Sequence, residues 1–185
     1  MLQTSRFSRF ARAVGALAAA ATLFTACEQP VAPSGAPSLT TVTTTQLLLC
    51  PNSTAKSTSK LILPLLGGIV SLDGSLISIP SWALSLPTVI TVAIPTSDYM
   101  QVDITAGDLL SFLFRRSVQV TVDYSRCGDV QGDLTVWHID PATKAFLEDM
   151  GGTDNRSAHK ITFTTNHLSS YAIANRTTTE IVVEP

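Results

Sequence analysis

An antiparallel β-sandwich is the fold this sequence predicts, and three observations point to it. From residue 60 onwards, apolar residues come in short runs, several of them with period two. The runs are rich in Val, Ile and Thr, whose branched side chains suit a pleated, half-buried surface. Turn formers separate them (Gly67-Gly68, Asp73-Gly74, Asp140-Pro141, Gly151-Gly152), and no helical pattern alternates with them.

Taken in order, the expected strands are Lys60–Leu65, Ile69–Leu72, Leu76–Ile79, Val89–Ile94, Met100–Thr105, Ser117–Tyr124, Leu134–His138, Lys160–Thr165 and Ser170–Ala174. The clearest is Ser117–Tyr124: Val118, Val120 and Val122 fall on one face, Gln119, Thr121 and Asp123 on the other. Only Ala106–Phe114 has a helical flavour, and its Leu109, Leu110 and Phe112 suit loop packing equally well. About 115 residues suffice for a two-sheet core.

Residues 1–26 read as an export signal. Arg6, Arg9 and Arg12 form a positive start, and Val14–Phe24 is apolar but too short to span a bilayer. The segment closes on Leu23-Phe24-Thr25-Ala26-Cys27, which resembles the bacterial lipobox, with Phe24 where a smaller aliphatic residue is usual. That resemblance implies an acylated Cys27 as the new N-terminus, with several acyl chains giving a stable membrane anchor. Glu28 after the cysteine favours the outer membrane; the alternative is a secreted protein with a free Cys27. Residues 27–48 then read as a Pro/Ser/Thr-rich linker, too polar to offset its ordering entropy. The sandwich is expected over 49–175. The tail 176–185 either stays unpaired or adds Glu180–Val183 as a strand.

The chain carries 12 basic and 14 acidic residues. Loss of the three leader arginines leaves nine basic residues and a net charge of −5, which argues against nucleic-acid binding. With Cys27 acylated, Cys50 and Cys127 remain. An even count in an oxidising compartment points to a disulfide between them. Two cysteines without a neighbouring His supply too few ligands for a metal, and no metal or cofactor is expected.

Gly67–Leu72, Leu76–Pro80, Pro87–Val92, Phe114–Tyr124, Leu134–Asp140 and His167–Ala172 follow one another in an order that resembles the ZU-five domain family. Gly67-Gly68-Ile69-Val70-Ser71-Leu72 resembles its opening double glycine and strand. Leu76–Pro80 resembles the strand that runs into a Pro-Pro-Gly-Ala-Leu turn, with Ser81 and Trp82 departing from it. Pro87-Thr88-Val89-Ile90-Thr91-Val92 resembles the Thr-x-Ile-Thr strand, and Phe114–Tyr124 the Phe-x-x-Pro-Val strand with Ser117 for proline. Leu134–Asp140 resembles a late strand, and His167-Leu168-Ser169-Ser170-Tyr171-Ala172 the closing His-Phe-Ser-x-Tyr-Ala signature. The resemblance covers about residues 60–175. It implies a β-sandwich serving as a non-enzymatic structural or interaction module, whose partner is another envelope or extracellular protein.

In some relatives of that family a His-[Phe/Leu]-[Ser/Thr] triplet cuts its own backbone. Carried over, His167 would be the base, Ser169 the nucleophile and Leu168–Ser169 the cleaved bond. The alternative is that the triplet simply opens the last strand. Other candidates are weaker. Asp98, Asp103 and Asp108 lack the compact spacing of a calcium loop. Asp129 and Asp133 read as a polar hairpin loop, and His138 and His159 stand isolated from any second ligand in sequence. There is no nucleophile elbow, phosphate loop or His-Glu-x-x-His helix. The chain has four glutamates, two of them in the tail, a poor supply for paired-carboxylate chemistry. Trp82 and Trp137 alone are too little for a sugar platform, and no small-molecule substrate is evident.

Overall fold

The computed structural model describes residues 38–51, 54–107, 109 and 112–183, so the leader, Cys27 and residues 28–37 lie outside the described residues. Two antiparallel sheets pack face to face. The larger holds β2 (Lys56–Ile62), β5 (Thr88–Ile94), β6 (Gln101–Ala106), β12 (Ser170–Val183), β8 (Asp133–Ile139) and β9 (Phe146–Gly151) in that order, with β1 (Ser38–Leu47) also paired to β12. The smaller runs β10 (Thr153–Asn155), β11 (Lys160–Leu168), β7 (Phe112–Asp123), β4 (Ser75–Ile79), β3 (Gly68–Leu72). Among the described residues there is no α-helix, only two single turns of 3-10 helix, Ser125–Cys127 and Arg156–Ala158.

The core follows from alternation. Val118, Val120 and Val122 of β7 are buried while Gln119 between them is exposed. They join Ile77 and Val70 from the same sheet and meet Ile90, Val92, Ile104, Val136 and Ile173 from the other. Burying each such side chain contributes roughly 1.5–3 kcal/mol. Cys50 and Cys127, 77 residues apart, are joined by a disulfide at one end of this core. Arg126 reinforces that end by donating to the carbonyls of Pro51 and Tyr99.

At three places the strands depart from expectation. Residues 38–47, inside the stretch read as linker, form β1, paired residue for residue with β12 from Leu47↔Ala174 to Ser38↔Val183. The threonines that replace Pro and Ala beyond Ser38 are β-branched, and the long β12 offers them an open edge. The same pairing takes the tail into the sheet as far as Val183. Beyond Arg176, where β8 ends, β1 and β12 have only each other, and they continue as a two-stranded ribbon.

Secondly, β2 ends at Ile62 instead of Leu65, because Pro64 has no N–H for the ladder. Leu63 bridges Gly67 across the turn that follows. Gly67 sits at φ +64, and a Cβ there would lie 2.3 Å from the Ile79 carbonyl oxygen. Thirdly, β9 and β10 were not expected, and the helically flavoured stretch instead opens β7 at Phe112.

Candidate functional site

The β8–β9 hairpin turns at Asp140-Pro141. The Asp140 carboxylate accepts the N–H groups of Ala142 and Thr143 at 2.9 and 2.7 Å. The Thr143 backbone, then its side chain, then Ala142 hold that carboxyl below its usual range. The hairpin register places Glu148 opposite His138. On the other side of β8, the β12 register places Tyr171 opposite His138. His167 arrives from the second sheet. Beyond a bulge between Thr165 and His167, β11 stays paired with β7 as far as Leu168, and the chain then passes through Ser169 into β12 of the other sheet.

These strands bring three potential ligands together, and theirs is the one such grouping among the described residues. The donor atoms of His138, Glu148 and His167 all lie within 4.8 Å of one another. His167 Nε2 is 3.4 Å from Glu148 Oε2, and the two imidazole rings have centroids 5.0 Å apart. His138 is half-buried, and neither of its ring nitrogens has a hydrogen-bond partner among the described residues. Burial, then the neighbouring His167, push the His138 pKa down, against a smaller upward pull from Glu148.

Tyr171 sets the orientation of His167. Burial pushes this phenol up to about 12, so it keeps its proton. It donates to the His167 carbonyl at 2.6 Å, and its oxygen lies 3.3 Å from His167 Nδ1. With the phenol proton on the carbonyl, Nδ1 is assigned as the donor to the phenol oxygen. A neutral His167 ring then carries its free lone pair on Nε2, facing Glu148.

Of the residues picked out in the sequence, His167 and Ser169 stand close along the chain but are not hydrogen-bonded. The two ring nitrogens of His167 face Tyr171 and Glu148. Ser169 links β11 to β12, and its carbonyl accepts the Ile104 N–H at 3.0 Å. Neither Leu168 nor Ser169 has a backbone in the left-handed region. His138 is not isolated in the fold, contrary to its place in the sequence: two cross-strand registers and a sheet crossover give it company. Glu148 was not singled out at all. The Asp140-Pro141 turn signalled a hairpin but not this partner, since the pairing of 138 with 148 is centred near residue 143 and includes a register shift between His138 and Ile139. Asp103 accepts from Gln101 Nε2 at 2.8 Å, and Asp108 lies outside the described residues. His159 is 4.0 Å from Asp129, far along β11 from the cluster.

A second feature occupies the same end of the sandwich as the cluster. The turn after β2 and the loop between β4 and β5 expose Leu63, Leu65, Leu66, Trp82 and Leu86, and nearby strand ends expose Leu61, Val89 and Leu113. The Trp82 N–H donates to the Pro64 carbonyl at 2.7 Å and the Arg115 N–H to Ala83 at 2.9 Å, tying these segments to one another. Strand directions set this end opposite the ribbon: β5 starts here and β6 finishes here, whereas β12 runs away from it towards Val183. A surface concavity of about 330 Å³ between Lys56, Asp73, Asp123 and Arg126 carries charges already engaged, since Lys56 pairs with Asp73 at 2.5 Å and Arg126 with carbonyls.

No family model matches the chain, and no curated protein matches it.

Proposed function

We propose that the protein is a non-enzymatic structural or protein-interaction module of the bacterial cell envelope. Acyl chains on Cys27 hold it to the membrane, favouring the outer membrane, and a ZU-five-like sandwich presents its loop end to another envelope or extracellular protein. The observation that carries this reading is polarity along the molecule. The chain joins the domain at the ribbon, through Ser38. Most of the exposed large apolar side chains gather at the opposite end, with Leu66 76%, Leu86 71% and Trp82 59% accessible, while Leu49, Val42, Ile181 and Val182 are the exposed ones on the ribbon side. An apolar cluster of this kind on a folded domain fits a contact surface.

The reading is tested in cells. Radioactive palmitate labels the wild-type protein and not Cys27→Ser; an unlabelled wild type removes the tether. A photo-cross-linking residue at Leu66 or Trp82 gives one discrete protein adduct, and the same residue at Thr43 in the ribbon gives none. Equal adducts from both ends overturn the assignment of the loop end as the contact surface.

A further inference from the structure

We propose that His138, Glu148 and His167 form a zinc-binding site that joins the two sheets of the sandwich. Two imidazole nitrogens and one carboxylate oxygen are three of the four ligands of tetrahedral zinc, and this donor set leaves the fourth position open. Metal–ligand bonds of about 2.0–2.2 Å around a tetrahedron set neighbouring donors roughly 3.3–3.5 Å apart. His167 Nε2 and Glu148 Oε2 already stand at 3.4 Å. The remaining donor spacings lie within 4.8 Å: the one from His138 to Glu148 closes by a rotamer change of the 59% exposed Glu148 side chain, and the one between the two imidazoles closes by a turn of the His138 ring.

Nε2 of His167 faces a Glu148 carboxylate oxygen at 3.4 Å, and the His138 ring lies beside it with centroids 5.0 Å apart. A single dication serves both imidazoles and the carboxylate together. Two nitrogen ligands select zinc over calcium and magnesium, which prefer oxygen. Tyr171 is a positioning residue here: by taking the Nδ1 side of His167 it turns Nε2 towards the metal, the usual outer arrangement of a ligating histidine. Because β8 and β9 belong to one sheet and β11 to the other, the ion cross-links the layers where the chain passes between them. The site depends on neither the lipid tether nor the partner proposed above.

The test uses the full chain without a histidine tag, stripped of metal with a chelator and titrated with zinc against a chromogenic indicator. The chain has three histidines, so His159→Ala is the internal control. Binding of one zinc per chain is expected, weakened at least tenfold by His138→Ala, His167→Ala or Glu148→Gln and unchanged by His159→Ala. Tyr171→Phe weakens binding but keeps one zinc per chain. Zinc raises the melting temperature of the wild type and not of Glu148→Gln, and calcium raises neither. Glu148→Gln changes an exposed side chain, so the result does not hinge on whether a histidine variant folds. Absence of stoichiometric zinc, or equal affinity in wild type and Glu148→Gln, overturns the proposal.

Discussion

The body of the sandwich and the β1–β12 ribbon are built from the same kind of strand, yet they are held in place by different forces. In the body, most inward residues are branched aliphatics packed in the core: Ile77, Ile90, Val118, Val136 and Ile173 are all fully enclosed. In the ribbon, Val42, Ile181 and Val182 are exposed, and the remaining positions are mostly threonine. Burial specifies register in the body, because a one-residue slip turns every apolar side chain outwards. In the ribbon a slip exposes nothing new. Its register is inherited from the body, where Leu48 N–H donates to Ile173 at 2.8 Å and Met100 N–H to Leu48 at 3.0 Å.

The contrast has measurable consequences, and the largest belong to the core. Ile90→Ala, in the middle of β5, is expected to cost about 2–5 kcal/mol by denaturant unfolding. A cost near zero there means that the two sheets do not pack as described. Replacing both Cys50 and Cys127 by serine removes the closure of a 77-residue span and should cost about 2–4 kcal/mol. Gly67→Ala combines a positive φ with a clash against the Ile79 carbonyl, and a loss of about 1–3 kcal/mol is expected from the same unfolding experiment.

An alkaline titration sharpens the picture of the body further. Burial, and then the Asp154 carboxylate that accepts its hydroxyl proton at 2.6 Å, push the Tyr124 phenol up to about 12. Its folded value lies above the value of 10.0 for the free side chain. Its contribution to stability is therefore complete below pH 10 and disappears as the pH rises towards 12. Tyr124→Phe should flatten the fall of the unfolding midpoint across that window, with Tyr171 supplying the remainder. The smallest effect belongs to the ribbon: Thr43→Ala is expected to change stability by less than about 0.5 kcal/mol. Amide hydrogens of residues 38–44 should exchange much faster than those of β7, and equal protection would erase the distinction.

How much of this was legible in the sequence follows the same division. The strand around Val118, Val120 and Val122 was plain, because half-burial writes a period of two into the chain. The Cys50–Cys127 bond was also plain, since reading the leader as a lipoprotein signal assigns one cysteine to lipid and leaves a pair. The strand β1 was not, because a run such as Thr43-Thr44-Thr45 carries no inside and outside, and only the partner strand makes it a strand. Phe146–Met150 carries no alternation either: its first four residues are all exposed. With β9 went Glu148, and with Glu148 the cluster. His138 and His167 stand 29 positions apart, and their meeting depends on a bulge and a change of sheet that no local pattern records. The apolar loops were visible as leucines and a tryptophan but not as one end of a molecule, which only strand direction reveals.

The route of the backbone through β1 has a mechanical consequence. A load applied from the N-terminal side travels down β1 and enters the body at Leu48 and Cys50. There it crosses covalently to Cys127 and bypasses β2 to β7 altogether. While the sulfurs stay bonded, a tug from that side cannot pay out the intervening chain, and those six strands are shielded from the pull.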